Sequence, residues 1–156
     1  MKEKELLVLQ LEQAFNKKSW HGTNLAGSIR GLKPDLAKRR PAKGRHNIWE
    51  LVVHCAYWKY SVYRRLEGLP TGSFPLTGSD WFPRPEEVSE RALKADIKLL
   101  KACHRDLIEA VEKCSPRKLN DVPKGSKTTF RDLILGAAAH DLYHAGQIQL
   151  IKRMAK

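Results

Sequence analysis

The sequence predicts an all-α protein built as a four-helix bundle, and three observations lead there. Four long segments repeat apolar residues at helical period, no segment alternates convincingly as a strand does, and Gly- and Pro-containing stretches separate the segments. A chain of 156 residues, 42% of them hydrophobic, suits one domain over 1–156 with a sizeable core.

The first helix is expected over about 2–18, where Leu6, Leu7, Leu9, Leu11, Ala14 and Phe15 recur. "SWHGTNLAGSIRGL" follows, with a short helix from about Thr23 to Gly31; Pro34 and Pro41 then mark an irregular stretch, because proline breaks the helical ladder. The second long helix starts after Asn47 as N-cap and runs to about Glu67, where Gly68 and Pro70 stop it. Its stripe is Ile48, Leu51, Val52, Cys55, Trp58, Val62 and Leu66. The third runs from about Pro85 to Cys114, with Leu93, Ile97, Leu100, His104, Leu107, Val111 and Cys114 stepping by four and three like a bundle seam. The fourth opens at Thr128 or Thr129 and continues to about Met154.

The connection over 68–85, "GLPTGSFPLTGSDWFPRP", exceeds the ~2–8 residues that join adjacent antiparallel helices. Its length permits a crossover, with the second and third helices parallel, and its Phe74, Trp81 and Phe82 should pack back on the helices and cover a site.

Composition narrows the partners. The net charge of +12 fits nucleic acid, an anionic small molecule or colloidal solubility. Much of the excess lies in "KPDLAKRRPAKGR" and the final "KRMAK", read as solvated surface; the aromatic interleaving of a nucleic-acid site is missing, so no specific nucleic acid is expected. No apolar stretch reaches the ~20 residues of a membrane span, and the charged start lacks a signal peptide's apolar core. The expectation is a cytoplasmic protein that does not engage a membrane. Cys55, Cys103 and Cys114 form no CxxC and read as buried core residues.

The chemistry-bearing residues lie on the fourth helix. In "LILGAAAHDLYHAGQIQLI", His140 and His144 fall at the centre of a face set by Phe130, Leu133, Ala137, Ile148 and Ile151. Their i, i+4 spacing stacks two imidazoles one turn apart, as two ligands of one metal require. His54 on the second helix is the candidate third ligand. Three histidines from two helices would leave an open position, as in catalytic rather than structural sites.

"HNIWELVVHCAYWKYSVYRRLEG" and "AAHDLYHAGQIQLIKR" resemble the two signature helices of the DinB/YfiT-like superfamily, bacterial four-helix-bundle candidate metalloenzymes unrelated to the DNA polymerase sharing that name. "SWHGTNL" and the Trp in the second connection add to the likeness, which spans nearly the whole chain. The resemblance implies a divalent metal on His54, His140 and His144, an up-down-down-up bundle, and a homodimer.

Neighbouring residues carry alternatives. Asp141 and Glu50 could accept the free ring N–H of a ligating histidine, or serve as ordinary salt-bridge partners. Tyr143 and Gln147 could orient a substrate; Trp58 and Trp81 could wall its pocket or belong to the core. His104 could be a fourth ligand, although a satisfied core histidine suits its stripe position better. His46 reads as solvated, and His21 matches a family feature of underived purpose.

An open three-histidine ion, zinc or nickel, can polarise a carbonyl, deprotonate water or bind a thiol as thiolate. The resemblance implies transferases and isomerases using low-molecular-weight thiols, and the basic surface would draw in an anionic thiol or acidic small-molecule substrate. Metal-dependent hydrolysis is the competing enzyme reading, and a stress-related, non-catalytic metal-binding protein the third.

Overall fold

A computed structural model describes residues 1–87 and 89–155. Lys156, the last of the C-terminal basic residues, lies outside them. The described residues form six α-helices and one 3-10 turn, with no strand, in the order α1 Glu3–Phe15, α2 Leu25–Ser28, α3 Pro34–Ala37, α4 Ile48–Glu67, α5 Glu90–Lys113, the 3-10 turn Pro116–Asn120, and α6 Phe130–Met154.

Capping chemistry sets most boundaries. Asn47 Oδ1 accepts from the Glu50 N–H at 2.8 Å while Glu50 Oε2 accepts from the Asn47 N–H at 3.1 Å, a reciprocal box that opens α4. Gly68 closes that helix at φ 67°, a left-handed turn that glycine adopts without a Cβ clash. Thr129 caps α6 by accepting from the Asp132 N–H.

Four boundaries differ from expectation. α5 begins at Glu90 rather than Pro85, because the Ser89 hydroxyl accepts from the Ala92 N–H and so provides the cap. α1 ends at Phe15, where the Asn16 and Lys17 N–H groups both turn back to the Glu12 carbonyl. α2 is a single turn started by Asn24, whose Oδ1 accepts from the Gly27 N–H. Pro34 opens the short helix α3 instead of an irregular stretch: at the first helical position its missing N–H has no partner to lose.

The four long helices pack as a ring, α1 against α5, α5 against α4, α4 against α6, and α6 against α1. One apolar cluster holds Trp49, Val52, Cys55, Leu100 and Ile148, among others. A second gathers Leu7, Leu11, Val62, Leu107 and Ile134. Cys55 and Cys103 are buried and free; Cys114 is partly exposed, at the C-cap of α5, rather than in the core.

The segment between α4 and α5 folds back on the helices. Phe74 and Phe82 are buried against Tyr57, each at a ring separation of 5.3 Å. Arg84 pairs with Asp96 of α5 at 2.7 Å, and Asp96 also accepts from the Trp49 indole at 2.6 Å. The segment is thereby fixed over the helices at the height of His54.

α6 buries Phe130, Ala137, His144, Ile148 and Ile151 of the face expected of it, but the centre of the buried face lies elsewhere. Asp141 is fully buried at the centre, Leu133 only partly, and His140 stands at the flank with partial exposure. The apolar seam steps Ile134, Ala138, Asp141, Ala145, Ile148, in fours and threes, so the carboxylate occupies a core position and the two histidines turn toward α4.

Candidate metal centre

His54 projects from α4 and His140 and His144 from α6, and their ligand-capable atoms lie within 4.8 Å of one another. The Nε2 atom of His140 is 3.0 Å from that of His54 and 3.0 Å from that of His144.

The proton positions follow from the outer partners. His54 Nδ1 faces the Asp80 carbonyl oxygen at 2.8 Å, which can only accept, so Nδ1–H donates and the Nε2 lone pair points inward. His144 Nδ1 faces Gln147 Oε1 at 2.7 Å, with the same consequence. A single N–H on His140 Nε2 cannot satisfy two lone pairs in different directions. A cation can satisfy all three. Tetrahedral coordination at ~2.0–2.1 Å per imidazole spaces ligand nitrogens about 3.3 Å apart, a small outward adjustment from the distances here. The residues therefore fit a divalent transition metal.

Electrostatics favour the same state. Burial pushes the pKa of His140 down to about 3, with repulsion from His144, His54 and Lys59 adding to it. Burial likewise lowers His144 to about 4, and it lowers His54. All three rings are neutral at pH 7, so metal need not displace protons to bind.

A second grouping, Cys55, His140 and Asp141, also lies within 4.8 Å. It makes a poor ligand set. Burial raises the Cys55 thiol well above the usual range, keeping it protonated, and Lys59 already engages Asp141.

The outer partners are not those expected. Asp141 does not accept from a ligand ring; its Oδ2 meets Lys59 Nζ at 2.5 Å, both side chains 1% exposed. Glu50 is occupied by the Arg40 guanidinium at 2.6 and 2.8 Å, with His46 Nδ1 at 3.2 Å. Asp80 fills the place instead. Its carbonyl receives the His54 proton, and its carboxylate stands 3.3 Å from the same nitrogen while accepting from Trp58 Nε1 at 2.8 Å. Its φ of 63° is left-handed, a conformation that Asp tolerates better than most residues. His104 is not a ligand: it stacks on Phe15 at 3.9 Å, and its Nδ1 faces Lys59 Nζ at 3.3 Å.

The aromatic residues frame the triad. Trp81 lies parallel between His54 at 3.8 Å and His46 at 3.5 Å, so His46 is part of a stack rather than simply solvated. Trp58 meets His54 and His140 edge-on, each at 6.3 Å. A cavity of ≈ 470 Å³ opens beside His144, walled by Trp81, Tyr143, Gln147, Leu150 and Met154; Trp58 is not among its walls.

A sequence profile described as the DinB superfamily matches residues 19–148. The chain belongs to the DinB superfamily. Neither a curated protein nor a solved structure matches it. Within this DinB-superfamily chain, both helices that carry the three histidines fall inside the matched span.

Two site residues were missed by sequence reasoning. Lys59 had a signal: the true stripe of α4 is Val52, Cys55, Lys59, Val62, Leu66, which puts a lysine at a core position. Asp80 had none, because its decisive group is a backbone carbonyl in a loop.

Proposed function

We propose that this DinB-superfamily protein is a metal-dependent enzyme in which His54, His140 and His144 hold one divalent ion, zinc or nickel, and a small molecule takes the remaining position. The observation that carries the reading is the convergence of three neutral Nε2 atoms beside a ≈ 470 Å³ cavity, with His104 turned away to Lys59. When bound, an ion held by three neutral imidazoles keeps its full charge and lowers the pKa of a thiol or water next to it.

The chain's own residues do the rest. Asp80 and Gln147 hold protons at Nδ1 of His54 and His144, which keeps both Nε2 atoms available. Trp81 and Trp58 restrict water around the ligand rings. Tyr143 and Gln147 face the cavity, where they would orient a substrate, and Arg45 on its wall favours an anionic one. An anionic low-molecular-weight thiol in an S-transfer reaction fits these features best.

The same reading takes the chain as one cytoplasmic domain, an up-down-down-up four-helix bundle, which the ring of helix contacts supports. Among the described residues, no helix is long and apolar enough to cross a membrane. A homodimer belongs to the proposal too. Leu135, Tyr143, Leu150 and Met154 are exposed on the outer side of α6, and Gly136, Ala139 and Gly146 lie exposed between them, an apolar face suited to a second copy.

Elemental analysis of tag-free protein, followed by thiol-transfer and hydrolase panels with and without the metal found, tests the proposal. Metal-dependent thiol transfer is expected. Metal-dependent hydrolysis alone would replace the thiol assignment, and bound metal without turnover in either panel would make this a metal-binding protein instead.

A further inference from the structure

Two glycines lie inside α6, Gly136 and Gly146, both exposed. Glycine weakens a helix interior relative to alanine, so each stands there at a cost. A Cβ built on either would meet nothing within 4 Å, so no contact within the chain calls for a glycine. Close approach of another backbone would call for both.

The exposed residues of α6 fall symmetrically about the middle of the helix, between Leu142 and Tyr143. Asp132 and Arg153 are equidistant from that point, as are Leu135 and Leu150, and Ala139 and Gly146; all six are exposed. In an isologous pair each residue meets its counterpart twice, once on each side of the two-fold axis. Antiparallel pairing about this point therefore sets Leu135 against the partner's Leu150 and Ala139 against the partner's Gly146. The small pairs flank the axis, where they let the helix axes approach to ~8 Å.

Charge selects the direction. The ion pairs of α6 among the described residues, Lys59–Asp141 and Arg131–Glu3, leave out Asp132 and Arg153. Antiparallel pairing brings Asp132 to the height of the partner's Arg153, whereas parallel pairing would set like charge against like at both ends.

The same face borders the cavity beside His144. Tyr143, Leu150 and Met154 are exposed apolar residues of α6 and walls of that cavity. We propose that two copies pair antiparallel through α6, centred between Leu142 and Tyr143, so that the N-terminal half of the partner's helix runs along Leu150 and Met154 and closes the outer side of each cavity. This rests on the reading of that cavity as the substrate site and of α6 as the dimer face, and it makes each site incomplete in a single chain.

The test uses the full chain carrying Cys114→Ser, which leaves only the buried Cys55 and Cys103. Leu135→Cys and Leu150→Cys are added singly, then oxidised alone and as an equimolar mixture. Disulfide-linked dimer is expected only in the mixture. At 1.5 Å per residue the two copies of either cysteine stand roughly 22 Å apart, beyond the ~7 Å reach of a disulfide. Gly146→Leu fills the close approach and should raise the dimer dissociation constant at least about ten-fold by light scattering, at an unchanged helical circular-dichroism spectrum. Met154→Cys should react with a bulky maleimide several-fold more slowly above that dissociation constant than below it.

Cross-linking of either variant alone, none in the mixture, or an unchanged dissociation constant in Gly146→Leu overturns the pairing. One alkylation rate for Met154→Cys above and below the dissociation constant overturns the closure of the cavity. Protein that is monomeric at every concentration overturns the dimer reading and this one together. None of these measurements depends on the metal, so failure of the histidine assignment would leave their outcome unchanged.

Discussion

Lys59 and Asp141 form an ion pair at 2.5 Å with each side chain 1% exposed, on two helices that also carry the histidine triad. Burial raises the Asp141 carboxyl to about 6 even with the ammonium beside it, and one of its oxygens has no hydrogen-bond partner among the described residues. Removing one member leaves the other charge stranded. Lys59→Met should therefore destabilise the fold by about 3–5 kcal/mol, whereas Lys59→Met with Asp141→Leu should cost much less. Urea unfolding of the two single variants and the double variant gives the comparison; equal losses in single and double would contradict it.

Metal content is expected to respond to each candidate ligand separately. His54→Ala, His140→Ala and His144→Ala are each expected to lower bound metal sharply at an unchanged helical circular-dichroism spectrum, because the apolar seams supply most of the stability. Full retention of metal in His140→Ala would remove that residue from the ligand set.

The outer partners are expected to tune metal affinity without being ligands. Gln147→Leu removes the acceptor of His144 Nδ1–H, and Asp80→Ala removes the carboxylate shared by His54 and Trp58. Gln147→Leu should weaken zinc by roughly 10–100-fold, measured by competition with a chromophoric chelator, and Asp80→Ala by less, because the backbone carbonyl that accepts from His54 Nδ1–H remains. Glu50→Gln, whose contacts run to Arg40 and His46, should leave zinc affinity near its original value.

Acid should destabilise the metal-free protein. His104 and His140 are lowered to about 3 and His144 to about 4, against an unfolded value near 6.5. Between those limits the unfolded chain binds more protons, so stability rises with pH and falls as pH drops from about 6.5. Asp141, raised to about 6, opposes this between about 4 and 6, but it is one group against three. Urea midpoints at pH 7 and pH 5 should differ by ~2 kcal/mol or more in stability, lower at pH 5. Equal midpoints would show that the three imidazoles are not held neutral.

The outer face of α6 should mediate self-association. Leu150→Glu introduces a charge at an exposed apolar position and is expected to yield monomers at concentrations where the unaltered protein is dimeric by light scattering. Unaltered protein that scatters as a monomer would remove the dimer from the proposal.

Helix starts and stops were largely legible because they rest on side-chain chemistry: Asn47, Thr129 and Gly68 do what their residue types dictate. The triad was legible from one spacing and one flank position, His140 with His144 and then His54. The buried polar chain Asp141–Lys59–His104 was written in the seams as well, since each residue takes a core step of its own helix. Trp58, the neighbouring aromatic, drew the α4 stripe one position aside and hid it. Loop contributions were not legible. The Asp80 carbonyl and the stacking of Trp81 between His46 and His54 depend on where a long connection lands, which local pattern does not encode.

That landing divides the candidate metal centre into two unequal jaws. His140 and His144 stand one turn apart on a single helix, and the outer partner of His144 is on that helix too, so this jaw moves as one body. His54 is steadied by Asp80 and Trp81, both from the connection, so the grip of the other jaw is only as lasting as that segment's docking. Ion exchange would then keep time with the opening of the connection rather than with any motion of the helices, and the slow step of loading would be set where Phe74 and Phe82 seat against Tyr57, about one turn beyond His54 on α4.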